Sequence, residues 1–253
     1  MDFTNLLTNG TLIKRYRRFL ADIRLESGEV ITAHCPNTGT MLSCSTPGSP
    51  VCLSHSDNPK RKYPFTLEMI KTGGIWVGVN TARTNGLVAE AIEKGQIAEF
   101  GSIDKIKKEI KVSPHTRLDL QIMHGNSSTY MEVKNCSLAI DGCAMFPDAV
   151  TIRGTKHLQE LSRLSSAGMA AGIFFLVQRT DADRFAPAIH IDPVYGKALE
   201  TAIAAGVQVL VYQAQVSPKG IHVIRPLPYS PEIPLFKTLK PLPVSLEETH
   251  IPS

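Results

Sequence analysis

The chain has none of the common glycine-rich phosphate cradles. Neither G-x-x-x-x-G-K-[ST] nor G-x-G-x-x-G occurs, which sets aside the usual nucleotide-binding loops. G-x-S-x-G is also absent, and with it the usual serine-hydrolase elbow. The five cysteines (Cys35, Cys44, Cys52, Cys136, Cys143) are odd in number and irregularly spaced, with no C-x-x-C pair. That argues against a disulfide framework and a structural zinc ribbon, and it points to the reducing cytoplasm. No apolar run approaches the ~18 residues of a membrane span. The opening Met1-Asp2-Phe3-Thr4 lacks the charged and long apolar regions of a signal peptide. The expectation is a cytoplasmic protein with no membrane partner.

What is present suits a globular chain. Its 253 residues are 43% hydrophobic, enough for one large domain or two ordinary ones with real cores. The net charge of +4 is uneven: residues 1–82 hold nine Lys+Arg against six Asp+Glu, and the remainder eighteen against seventeen. The excess sits at Lys14, Arg15, Arg17 and Arg18 and at Lys60, Arg61 and Lys62, with Tyr16 and Phe19 interleaved and Tyr63 and Phe65 following. Such mixing suits a groove that attracts phosphates and stacks bases. A solvated basic strand face with its aromatics in the core is the plainer alternative.

The same third reads as β structure: a long extended run over 11–25, a turn at Ser27-Gly28, and a partner strand over 29–35. Short strands follow at 41–44, 51–55, 63–70 and 75–79, separated by Gly, Pro and Asn turns. The pattern predicts a small closed barrel of the OB type over 1–82. After residue 82 the period changes. Leu87, Val88, Ala91 and Ile92 recur at helical spacing before Gly95, and 106–112 reads as a strand. Leu158, Leu161 and Leu164 mark a helix, 172–177 is an apolar strand, Asp192-Pro193 opens another helix, and 207–212 is a further buried strand. Helices alternating with apolar strands predict an α/β domain with parallel pairing over 83–228. The remainder, 229–253, is a proline-rich tail, with seven prolines in the last 28 residues.

The chemistry concentrates in Glu132-Val133-Lys134, thirteen residues after Asp119 in the alternating run Thr116-Arg117-Leu118-Asp119-Leu120. Side chains alternate along a strand, so Glu132 and Lys134 share one face. A hairpin whose loop spans 125–128 pairs Asp119 with Lys134 and sets Glu132 on the adjacent diagonal. Two carboxylates can bind Mg²⁺ or Mn²⁺ without filling its coordination sphere, and a neighbouring ammonium can orient water or stabilise charge. An acid and a lysine on a solvated strand also make ordinary surface ion pairs. Pro147-Asp148 lacks a following acid-x-lysine, which leaves it a loop or helix-capping role.

An Asp-hairpin-Glu-x-Lys, helix, strand, helix, strand order resembles the PD-(D/E)xK nuclease core. In that core Glu109 would be an auxiliary acid, and Lys156, His157 and Glu160 on the Leu158 helix would support the metal ligands Asp119 and Glu132. Longer segments resemble the sugar fermentation stimulation protein A family: Ile13 to Leu20, His34-Cys35-Pro36-Asn37-Thr38-Gly39, Asp57 to Tyr63, Trp76 to Thr81, Glu132 to Asn135, and Phe146 to Leu158. One departure is Ile110-Lys111-Val112-Ser113-Pro114-His115, where an aromatic residue and a glycine are expected. The resemblance implies an OB-type domain, a nuclease-like domain, non-specific DNA binding in which Asn37 joins the basic residues, and a link to maltose metabolism. Two readings stay open: a Mg²⁺- or Mn²⁺-dependent DNA nuclease, and a non-catalytic DNA-binding regulator on a nuclease-like scaffold.

Overall fold

The computed structural model describes residues 1–114 and 116–231. The first third forms β1 (Thr8–Tyr16), β2 (Leu20–Leu25), β3 (Val30–His34), β4 (Pro50–His55), β5 (Phe65–Thr72) and β6 (Ile75–Gly78). They pair in the order β3-β2-β1-β4-β5-β6, and a parallel bridge from His34 to Thr66 joins β3 to β5. That bridge closes β1 to β5 into an OB-type barrel. Alternate residues point inward, so Leu12, Ile23, Ala33, Leu53, Leu67, Ile70 and Val77 fill it.

Two expectations fail here for one reason: non-glycine residues take left-handed backbone conformations that the sequence does not advertise. The run 11–25 is a hairpin, with Tyr16 opposite Leu20 and a turn through Arg17 (φ 49°) and Arg18 (φ 62°). The segment 41–44 forms no strand. Met41 has φ 56°, and its amide donates to the Asp148 carboxylate across the molecule instead of joining a ladder.

Beyond the barrel come α1 (Thr84–Glu93), β7 (Lys105–Lys111), β8 (Arg117–His124), β9 (Ser127–Cys136), β10 (Leu138–Ile140) and β11 (Cys143–Phe146). Then follow α2 (Ile152–Ser166), β12 (Ala170–Val177), β13 (Arg184–Pro187), α3 (Pro193–Ala204), β14 (Gln208–Ser217) and β15 (Gly220–Pro226). The main sheet runs β15-β14-β12-β9-β8-β7, with β9, β12 and β14 parallel as the apolar runs led one to expect. A small sheet of β10, β11 and β13, which no sequence signal marked, caps one end.

One face of the main sheet packs on α1 through Leu87, Val88, Leu120, Met131, Val133 and Phe174. The other packs on α2 and α3 through Leu158, Leu161, Ile173, Phe175, Tyr195 and Leu199. Asp192 fixes both helix starts: its carboxylate accepts the Tyr195 N–H at 2.9 Å and the Thr151 N–H at 2.8 Å. All five cysteines are buried and unpaired. Among the described residues no helix is long and apolar enough to cross a membrane. The proline-rich tail lies, beyond residue 231, outside the described residues.

Tyr195 is fully buried, and its hydroxyl has no hydrogen-bond partner. Burial raises its pKa far above the ordinary phenol value. Tyr195→Phe removes only this unpaired group, so it should leave stability unchanged or raise it by about 1 kcal/mol. Urea unfolding measures the change.

Candidate active site

Asp119 stands where two strands part. The ladder between β8 and β9 runs from His124 opposite Ser127 to Leu120 opposite Met131. Beyond it, the Val133 N–H donates to Asp119 Oδ2 at 2.8 Å. Leu118 packs beneath α2 whereas Leu120 packs beneath α1, although residues two apart in a regular strand share a face. The strand therefore turns over at Asp119. In the facing stretch of β7, Glu109 takes φ 56°, a second sign of the irregularity.

This geometry corrects the expected register. The hairpin turn is Gly125-Asn126, not 125–128, with Gly125 at φ 54°. The pairing slips by two residues, which preserves parity. Asp119 consequently reaches Val133, between Glu132 and Lys134, rather than facing Lys134. Its other oxygen, Oδ1, accepts the Asn85 amide of α1 at 2.8 Å.

Glu132 is 2% exposed. Its Oε1 receives Lys134 Nζ at 2.5 Å and meets His157 Nδ1 from α2. Its Oε2 is buried with no hydrogen-bond partner. Burial alone would raise the pKa of this carboxyl, but the His157 hydrogen bond and the Lys134 charge outweigh it and hold the group below its ordinary value. Asp119 is pushed up, first by burial and then by the Glu132 charge, against the pull of the Val133 amide and Lys134. Two neighbouring carboxyls thus have environments of opposite sense.

The donor set fits a hard divalent cation. Asp119 and Glu132 offer carboxylate oxygens, one of them buried and unpaired. No group of three or more His, Cys, Asp or Glu among the described residues could form a metal cage. Mg²⁺ tolerates such a pair, because it keeps waters and substrate oxygens in its remaining positions.

A cleft of about 410 Å³ opens over these residues and draws walls from both domains. The α/β side supplies Asn85, Asn135, Asp148 and Arg153, and the barrel supplies Arg18, Asn37 and Gly39. Of the expected helper residues on α2, only His157 touches a carboxylate of the site. Glu160, one turn beyond His157 on α2, pairs with Arg163 at 2.7 Å instead. Lys156 is exposed and, like Glu109, lines a separate cavity, where neither contacts Asp119 or Glu132. Pro147-Asp148 lies in the bend between β11 and α2 and caps no helix: the Asp148 carboxylate accepts the Met41 N–H at 2.9 Å and its carbonyl accepts the Thr40 hydroxyl. A Cβ at Gly39 would lie 2.2 Å from Asp148 Oδ1, so glycine is what lets the two domains meet here.

The basic residues of the barrel divide into two kinds. Arg17, Arg18, Lys60, Arg61 and Lys62 are exposed. They lie near one end, since Arg61 bonds Thr66 at 3.0 Å and Thr66 pairs with His34, next to Leu20. Arg15 instead turns inward. Its guanidinium meets the carbonyls of Arg18 (2.5 Å), Asn37 (2.6 Å) and Gly39 (2.7 Å). Lys14 and Tyr16 engage Asp22, and Asn37 is buried with Oδ1 accepting the Gly39 N–H at 2.9 Å. Asn85, Asp148 and Arg153 were missed because single polar residues at helix starts and loops carry no spacing signal.

A barrel of OB topology joined to a mixed sheet that splays at an Asp and presents Glu-x-Lys defines the class: an OB domain on an α/β domain. Family models agree in both parts. The SfsA N-terminal OB domain matches residues 13–79, and the sugar fermentation stimulation protein RE domain matches residues 82–220. The chain belongs to the sugar fermentation stimulation protein family. It is 56% identical to the homolog of Desulfotalea psychrophila over 92% of this chain and 99% of that one. The homolog of Geobacter sulfurreducens is 49% identical over 88% of this chain and 95% of that one. Its fold is similar to that of Pyrococcus furiosus SfsA, solved in complex with Ca²⁺, with a TM-score of 0.84 and 24% identity over 91% of this chain and 98% of that one.

Arg15 should therefore behave as a structural residue. Arg15→Lys loses the planar fork and should cost about 1.5–3 kcal/mol, whereas Arg18→Ala should stay within about 0.5 kcal/mol. Chemical denaturation of the two variants separates the roles.

Proposed function

We propose that the protein is a Mg²⁺- or Mn²⁺-dependent DNA nuclease that binds its substrate without reading sequence. One observation carries the reading: Glu132, an ionised and nearly buried carboxylate, keeps an unpaired oxygen beside Asp119 and Lys134 where the strands part. Burying such an oxygen without a partner is costly unless a ligand satisfies it. Asp119 and Glu132 would hold the metal. When bound, the metal lowers the pKa of a water and offsets the charge gathering on the phosphate.

Lys134 orients the attacking water and stabilises the developing anion, with Glu132 fixing its ammonium at 2.5 Å. Asn85 and the Val133 amide fix the Asp119 carboxylate. His157 holds Glu132 from the α2 side. Arg18 and Arg153, on opposite walls of the cleft, meet the strand's phosphates. The oxygen ligands suit a hard cation such as the Ca²⁺ in the Pyrococcus furiosus relative. The five unpaired cysteines suit the cytoplasm.

A second reading has an observation of its own. Lys134 and His157 both contact Glu132 Oε1, so the carboxylate is partly compensated with no metal at hand. In this reading the protein is a non-catalytic DNA-binding regulator of sugar metabolism.

Plasmid nicking with Mg²⁺, with Mn²⁺ and with chelator separates the two. Under the nuclease reading the wild type nicks with metal only, and Glu132→Ala and Lys134→Ala each lose on the order of 10²-fold or more. Glu132→Ala also loses Mn²⁺ binding by calorimetry, whereas Lys134→Ala keeps it, because lysine is not a ligand. A wild type that binds DNA yet nicks with neither metal leaves the regulator reading standing.

A further inference from the structure

A second cavity, of about 630 Å³, adjoins the cleft on the α2 side. It lies between the β7–β8 connection and the first turn of α2, and Arg153 lines both spaces. Its walls include Lys111, Arg117, Arg153 and Lys156 against a single acid, Glu109. Lys111, Arg117 and Lys156 are exposed, and no ion pair or hydrogen bond engages the side chain of any of them among the described residues. Arg153 makes one contact, to His157 Nε2 at 3.4 Å, and the other ring nitrogen of His157 meets Glu132. Glu132 and this basic cavity therefore face opposite edges of one imidazole.

The cations continue outward. The edge strand β7 also carries Lys105, Lys107 and Lys108, all exposed, with side chains in no ion pair or hydrogen bond among the described residues. Unpaired like charges crowded at a cavity repel one another. A bound anion would relieve that repulsion, and the N-terminal turn of α2 adds to the same positive potential. A chain of phosphates is the ligand that a cavity, a shared arginine and a row of edge lysines suit together.

We propose that this cavity is a second phosphate-binding subsite, which takes the DNA backbone on one side of the phosphate held at Asp119 and Glu132. It rests on the nuclease reading only for that last position. Contacts here are to internal phosphodiesters, because the lysines of β7 carry the track past the cavity. The bases are not read.

The test needs no cleavage. Anisotropy of a labelled duplex with the full chain, in chelator and over a salt series, compares wild type with Lys111→Ala/Arg117→Ala/Lys156→Ala. These are surface positions, and equal unfolding midpoints check the fold. The triple variant should flatten the log–log salt slope by about 2–3, since each lost duplex contact contributes about 0.9. Glu109→Gln should shift binding the other way and tighten it, which a general loss of structure does not do. An oligonucleotide that ends in a 5′-phosphate should bind no better than one without it; preference for that end overturns the internal-backbone assignment. An unchanged slope in the triple variant, or a wild type that binds no duplex, overturns the subsite. A wild type that binds with the expected slope but never nicks removes the nuclease reading and leaves the subsite in place.

Discussion

The carboxylate of Asp119 accepting the Val133 amide is the interaction on which the rest of the site depends. β9 stays paired with β12 through Glu132 and Lys134, and only its β8 side opens. Where β8 and β9 part, the freed backbone group still needs a partner, because a buried unpaired N–H costs about as much as a lost hydrogen bond. Asp119 supplies it at 2.8 Å, and Asn85 from α1 steadies the same side chain. The opening is thereby stable, and it places two carboxylates and an ammonium at one seam.

The environments of the two carboxyls follow from that seam. Glu132 lies deeper, yet the His157 hydrogen bond and the Lys134 charge hold its pKa down, whereas burial and then its neighbour's charge push Asp119 up. The site is thus polarised before any ligand arrives. Further charge enters from three separate elements: the β1–β2 turn at Arg18, the start of α2 at Arg153, and the edge strand β7.

Much of this was legible in the sequence. Alternation gave the barrel strands, the apolar runs gave the parallel centre, and Asp192-Pro193 gave a helix start. The spacing from Asp119 to Glu132 and Lys134 marked the site. The failures share a physical cause. Arg17, Arg18, Met41 and Glu109 take positive φ without being glycine or asparagine, so the turn at Arg17-Arg18 and the broken segment at Met41 carried no composition signal. Register slipped by two residues at Gly125-Asn126, because even loops of two and four residues satisfy the same alternation. Arg15 looked like its neighbours, since charge says nothing about whether a guanidinium faces solvent or carbonyls. Asp148 depends on a partner more than one hundred residues away, and no local pattern encodes that contact.

That contact has a consequence for how the two domains could have been combined. The loop holding Asn37 and Gly39 is shaped from within the barrel by Arg15 and from outside by Asp148, which leaves no space for a side chain at Gly39. The barrel's part of the cleft wall is thus built to a template supplied by the other domain. A barrel transplanted from an unrelated OB protein would arrive with the wrong loop, however well it folded. A working exchange of barrels would have to carry the arginine, the glycine and the aspartate together.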